Sequence, residues 1–273
     1  MDVMKKLAFS TLGCPAWSFE KVVENAVKMG FSAIEIRGIE DELDNAKVKC
    51  FLPENRAKTQ ALLKENNLVI SDLGTSASFH DPAGHPAAIA ECVAALEICN
   101  DMGIMGIRVF GNNFIEGVDH EQTIKDVANG IKAVCDEAEK MGSAKVLLEI
   151  HGDFNTVENV GKLLKEIGDK PSFGIIWDII HSYHASRNDF VPFYELIKPY
   201  IMHVHTKDCI IENDEIIDLL PGKGDIDMPA MIGAMEKDGY AGYYSLEWEK
   251  RWRGELPEPE EVFPVYVEYM RTL

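Results

Sequence analysis

KVLLEIHG, residues 145–152, is a short apolar run that ends in a carboxylate and an imidazole. Successive side chains of a strand point to opposite faces, so Leu147, Glu149 and His151 share one phase and Val146, Leu148 and Ile150 the other. The second set is all aliphatic and suits a surface covered by helices. The first set turns an ionisable group towards the interior. A parallel strand buried on both faces normally reads as continuous Val, Ile and Leu, so an inward Glu149 requires a function or a partner. Three more runs repeat the pattern. SFGIIWDIIH carries Asp178 and His181, YIMHVHTKD carries His205 and Lys207, and YYSLEWE carries Glu247. His203 and His205 alternate with Met202 and Val204, and Ser245 and Glu247 alternate with Tyr244, Leu246 and Trp248; each time the polar phase is taken as the inward one.

Outward from these runs, short β-rich segments alternate with longer amphipathic ones along the whole chain, the pattern of repeated β-α units around a parallel sheet. Strands are predicted at 6–11, 33–37, 68–75, 106–110, 145–150, 173–178, 201–206 and 243–248. Helices are predicted near 18–29, 54–66, 85–102, 120–141, 156–168, 189–198, 227–238 and 259–271. Ser18 is a candidate N-cap and Gly30 a candidate C-cap for the first helix; Pro53 opens the second, and Gly142 and Gly168 close two others. Eight such pairs predict an α/β fold, a closed (β/α)8 TIM barrel forming a single domain over residues 1–273. That length suits one barrel.

In such a barrel the C-terminal strand ends converge on one face, which brings Glu149, Asp178, His205 and Glu247 together. Three carboxylates and a neutral imidazole carry a charge of about −3, and their crowding is costly unless a cation compensates it. Hard oxygen ligands with one nitrogen suit a divalent metal: Mn2+, Mg2+, Co2+ or Zn2+.

The 46 acidic residues against 27 basic ones give a formal net charge of −19, which opposes binding to nucleic acid. No apolar run reaches the roughly 20 residues of a membrane span, so no membrane partner is expected. The six cysteines show no CxxC pair, and reduced thiols in a cytoplasmic protein fit best. Cys92 and Cys99, seven apart on one helical face, read as packing residues.

Taken together, LEIHG, WDIIH, HVHTKD, PGKGDID at 221–227 and YSLEWE resemble the xylose-isomerase-like barrel superfamily of sugar isomerases and epimerases, over essentially the whole chain. The resemblance implies that Glu149, Asp178, His205 and Glu247 are metal ligands and that Glu149 and Glu247 also move protons on opposite faces of a substrate carbon. It implies a sugar, sugar-acid or cyclitol substrate and an isomerase or epimerase working through a metal-stabilised enediolate. An inosose-type dehydratase uses nearly the same machinery. An abasic-site endonuclease relative, opposed by the net charge, and a non-catalytic sugar-binding barrel are the more distant readings. Members are often dimers or tetramers, and a homo-oligomer with contacts at Trp252, Phe263, Tyr266 and Tyr269 stands against the alternative that the last helix packs on its own barrel.

The resemblance further implies that His181, on the loop leaving the sixth strand, contacts substrate hydroxyls. Arg37 and Arg108, near the ends of the second and fourth strands, are candidates for hydroxyls, a carboxylate or a phosphate, or are structural partners of Glu35 or another interior acid. His151 and Lys207 are candidate substrate contacts, with Lys207 alternatively paired to Asp208 or Glu149. His203 reads as a core histidine or a support for the ligands. Trp17, Trp252 and Arg253 are candidate walls around a sugar ring or loop packing, His80 a rim or solvated residue, and PGKGDID loop geometry rather than a phosphate cradle.

Overall fold

The computed structural model describes residues 5–213 and 215–273. Eight parallel strands close into a barrel: β1 (Lys6–Ser10), β2 (Ala33–Ile36), β3 (Val69–Ser78), β4 (Gly106–Phe110), β5 (Lys145–Glu149), β6 (Phe173–Asp178), β7 (Ile201–Thr206) and, after a hairpin, β10 (Tyr243–Leu246). Their order round the barrel is β1-β10-β7-β6-β5-β4-β3-β2, each next to its predicted neighbour. The hairpin is antiparallel β8 (Asp208–Glu212) and β9 (Glu215–Leu219). The helices are α1 (Phe19–Met29), α2 (Pro53–Glu65), α3 (His85–Met102), α4 (His120–Met141), α5 (Val157–Ile167), α6 (Ile179–Ser186), α7 (Val191–Ile197), α8 (Met228–Lys237) and α9 (Pro259–Thr272).

Local chemistry sets many of these limits. The Ser18 side chain accepts from Lys21 N, and Gly30 ends α1 in the left-handed region at φ 85° with its N–H on Ala26 and Val27 carbonyls. The aliphatic phase of β5 (Val146 and Leu148, continued by Ile150 just past its end) joins the core between barrel and helices, as the alternation predicted. The α4 helix lies close because it carries Gly130, where a Cβ would stand 2.2 Å from the Phe79 ring.

Three details depart from the sequence reading, and a fourth selects one of two alternatives it left open. The segment after β6 is a helix, α6, rather than a loop, so His181 sits in its first turn. The hairpin was not anticipated. Met202 belongs to the stretch where the β6–β7 register shifts, and it meets Leu147 over the bare Cα of Gly174, so the alternation of β7 breaks there. The last helix packs on its own barrel: Phe263 and Tyr266 are fully buried, and the Tyr266 hydroxyl donates to Tyr244 O. Only Trp252 of the aromatic contacts named above is well exposed.

Candidate metal centre

Each strand of the C-terminal face delivers its residue through pairing with its neighbour. The register sets Asp178 beside His205 and Ser245 beside His205, which brings Glu247, two residues on, to the same face. The His205 Nδ1 atom lies 3.4 Å from Glu247 Oε2, 3.7 Å from Asp178 Oδ2 and 3.8 Å from Glu149 Oε1. All four side chains offer ligand atoms within 4.8 Å of one another. Neighbouring ligand atoms around an ion with bonds of about 2.1 Å stand roughly 3.0–3.4 Å apart, so the quartet is close to closing on one. His205 Nδ1 and Asp178 Oδ2 are also buried without a hydrogen-bond partner. The Lys207 ammonium nonetheless stands 3.1 Å from Asp178 Oδ2, and the point the two atoms share is one that favours positive charge.

Arg108 holds Glu149 from outside, while Lys207 reaches the Glu247 and Asp178 oxygens that face His205. Arg108 donates through Nη1 to Glu149 Oε2 at 2.8 Å and through Nη2 to Thr75 O at 2.9 Å, with Glu247 Oε1 at 3.9 Å. Lys207 Nζ lies 2.7 Å from Glu247 Oε2, 3.1 Å from Asp178 Oδ2 and 2.8 Å from Glu249 Oε1. Its pairing with Asp208 or Glu149 is therefore not what forms. Asp208 instead accepts from Gly224 N of the PGKGDID segment at 2.8 Å. Crowding of the acids was expected to depend on an ion alone; two buried cations already offset part of it.

These contacts drive the two glutamates apart. Burial, reinforced by the charge on Glu247, pushes Glu149 up to about 7. Burial opposes ionisation of Glu247 as well, but His205 and Lys207 outweigh it and bring that acid down to about 2. Asp178 is held well below the usual range, Lys207 and His205 overcoming its burial. His205 goes the other way: burial disfavours its charge, yet Glu247, Glu35 and Glu149 hold it protonated well above the ordinary imidazole range.

Beneath the quartet lies a polar floor that the sequence reading only touched. Glu35 Oε2 stands 3.0 Å from His205 Nε2, though off the hydrogen-bonding line, 3.0 Å from His203 Nε2, and accepts from Ser245 Oγ at 2.8 Å. His203 also approaches Asp72 Oδ1 at 3.5 Å, and that carboxyl is raised, mainly by burial. A carboxylate behind the far nitrogen of a ligating histidine fixes which nitrogen faces the metal, and Glu35 occupies that position. Asp72 was missed; the signal was an acid inside the apolar stretch predicted as the third strand.

The remaining candidates divide. His151 and His181 stand together, ring centroids 4.2 Å apart, and both lose basicity, chiefly through burial, His181 falling to about 4. Arg37 is buried at the end of β2 and does not pair with Glu35. Trp17 is elsewhere: its buried ring packs at 5.9 Å from Phe263 under the Lys21 ammonium, between the first loop and α9, which corrects the expectation that it walls a sugar. A cavity of about 930 Å3 opens at the opposite end of the barrel, lined by Lys145, Tyr194, Met202 and Tyr240 among others; none of the quartet lines it.

No curated protein matches the sequence. Solved structures share the fold at low identity. The chain is similar to the probable 3-DHS dehydratase AsbF, involved in petrobactin synthesis, from Bacillus anthracis, at 19% identity and TM-score 0.77 over 98% of each chain. It resembles apo 3-keto-D-glucoside 4-epimerase YcjR from E. coli at 19% identity and TM-score 0.76, covering 98% of this chain and 100% of that one. The IOLI protein with a bound zinc atom matches at 18% identity and TM-score 0.76, over 98% and 95% of the two chains. At such identities these likenesses speak for the architecture. The profile of one family matches residues 23–273, and with the closed barrel and its carboxylate–histidine face in place, the chain belongs to the xylose isomerase-like TIM barrel family.

Proposed function

We propose that this protein is a divalent-metal-dependent isomerase or epimerase that moves a proton at the carbon beside the carbonyl of a sugar, sugar acid or cyclitol. The observation that carries the reading is the opposed pair Glu149 and Glu247, gathered with Asp178 and His205 but differing in affinity for a proton. Two carboxyls whose environments push them apart suit one group that takes a proton and another that gives one. A divalent ion held by the quartet would supply Lewis-acid polarisation of the carbonyl.

The chain's own residues do the rest. Arg108 holds the outer oxygen of Glu149 and Lys207 holds the Glu247 oxygen that faces His205, so each carboxyl presents a defined edge to the substrate. Glu247, held ionised, takes the α-proton; Glu149, which keeps a proton up to near neutrality, delivers one to the opposite face. The neutral rings of His151 and His181 offer nitrogens to substrate hydroxyls beside Asp178. Burial of the four ligands, 0–3% exposed, keeps water from competing for the transferred proton.

A second reading is loss of water after the same proton removal. It is favoured by the paired imidazoles, 4.2 Å apart, which offer a departing β-hydroxyl hydrogen-bonding partners. The solved structure of a probable dehydratase with the same fold adds support. Incubating the Mn2+-loaded protein with ketoses, keto-acids and inososes in D2O, followed by NMR, tests both. We expect deuterium at one carbon of one substrate, abolished by chelation and in Glu149→Gln. Water loss in the product selects the second reading; tight binding without any exchange would leave a sugar-binding barrel and defeat both.

A further inference from the structure

Arg37 is a buried charge without a counter-ion. The residue is 7% exposed, and among the described residues no acid forms an ion pair with it. Its Nη2 donates to Ser76 Oγ at 2.9 Å, while its Nη1 is buried with no partner. Glu91, the acid that acts on it most, is engaged by Ser76 N at 2.6 Å. Leaving a buried guanidinium uncompensated costs several kcal/mol, which a fold retains only where something else returns it.

The surroundings say what that is. Gly74 of β3 leaves a gap into which Arg37 and Arg108 both reach: a Cβ there would stand 2.7 Å from Arg37 Cδ and 3.2 Å from Arg108 Nη2. Arg108 Nε is a second buried donor without a partner. The two arginine side chains therefore meet over one glycine, and burial together with the Arg108 charge pulls Arg37 down to about 10. Arg108 in turn touches Glu149, so this doubly cationic corner adjoins the quartet. Arg is the side chain whose planar fork matches carboxylate and phosphate oxygens.

We propose that the substrate carries an oxyanionic group, a carboxylate or a phosphate, and that Arg37 receives it next to Arg108 while the reacting carbon lies at the quartet. The location of that carbon rests on the function proposed above; the anion site does not. A small anion between the two guanidiniums satisfies both orphaned donors and relieves their repulsion. A neutral sugar does neither, because hydroxyls bring no charge.

Calorimetric titration of the Mn2+-loaded protein with D-gluconate, D-fructose 6-phosphate and D-fructose tests this, in the natural chain, Arg37→Met and Arg37→Lys. We expect at least one anion to bind roughly tenfold tighter than D-fructose, the preference collapsing in Arg37→Met and surviving in part in Arg37→Lys. Gluconate alone identifies a carboxylate, the phosphate ester alone a phosphate. Because it removes an unpaired buried charge, Arg37→Met should keep or raise the Tm. Equal binding of all three probes, no binding of either anion at roughly 10 mM, or a preference unchanged in Arg37→Met overturns the proposal. So does a Tm lowered by more than about 5 °C in Arg37→Met, which assigns the arginine to holding the fold. Mn2+ binding is measured separately: if the ion fails to bind while the metal-free protein keeps the anion preference, the metal-dependent reading falls and the anion site stands.

Discussion

His205 sets how the centre responds to pH. Its Nδ1 faces the quartet and its Nε2 faces Glu35, so in the metal-free protein carboxylates on both sides keep it protonated above neutrality. Glu149, with its folded value near 7, is the other group that titrates there. Both values are raised relative to the unfolded chain. Their stabilising contribution is therefore complete below the unfolded values and is lost as pH rises, through about 7 for Glu149 and higher for His205. Metal binding needs both protons gone, so it strengthens along the same axis. We expect Mn2+ affinity to rise roughly a hundredfold per pH unit below about 7, where two protons leave, and roughly tenfold per unit just above it, where only the His205 proton leaves. Isothermal titration at several pH values checks this, and a flat profile from pH 6 to 8 contradicts the proton occupancy described.

At the scale of elements, Asp178 does two jobs at the junction of β6 and α6. Its Oδ2 faces the quartet while its Oδ1 accepts from Ile180 N as the N-cap of the helix that carries His181. Asn keeps a capping oxygen, so Asp178→Asn and Asp178→Ala should both lose metal affinity, but the alanine variant should be less stable by about 1 kcal/mol in urea denaturation without metal. Equal stabilities would show that the cap does not hold α6. The barrel strands and eight of the helices were legible because an apolar phase declares itself in each and many are bounded by a cap or a proline. The α6 helix was not, because its apolar and polar side chains mix where the chain turns over the barrel mouth. The hairpin was missed because its strands are mostly half-exposed and carry no continuous buried phase. The four candidate ligands could be read because charge in a doubly buried strand is conspicuous. The orphaned Nη1 of Arg37 could not, since the sequence shows a cation near a strand end and nothing about which acids fail to reach it.

For the whole molecule, the question is whether the ion builds the barrel or only equips it. The core is contiguous around the sheet and closed by α9 through Phe263 and Tyr266, none of it dependent on the quartet. Chelated protein should therefore keep its helical circular dichroism and unfold cooperatively. Mn2+ at a hundred times its dissociation constant adds about 2.7 kcal/mol by mass action, which for a chain of this size raises the Tm by roughly 5 °C in a thermal melt. Collapse on chelation would make the ion structural instead.

Lys207 and Arg108 are already in place, resting on the same acids that an ion would use. A barrel without the proposed ion should thus persist folded and take one up without refolding. On the proposed function, the ion bound would follow from what the surroundings supply, and loading one in place of another should change turnover without refolding.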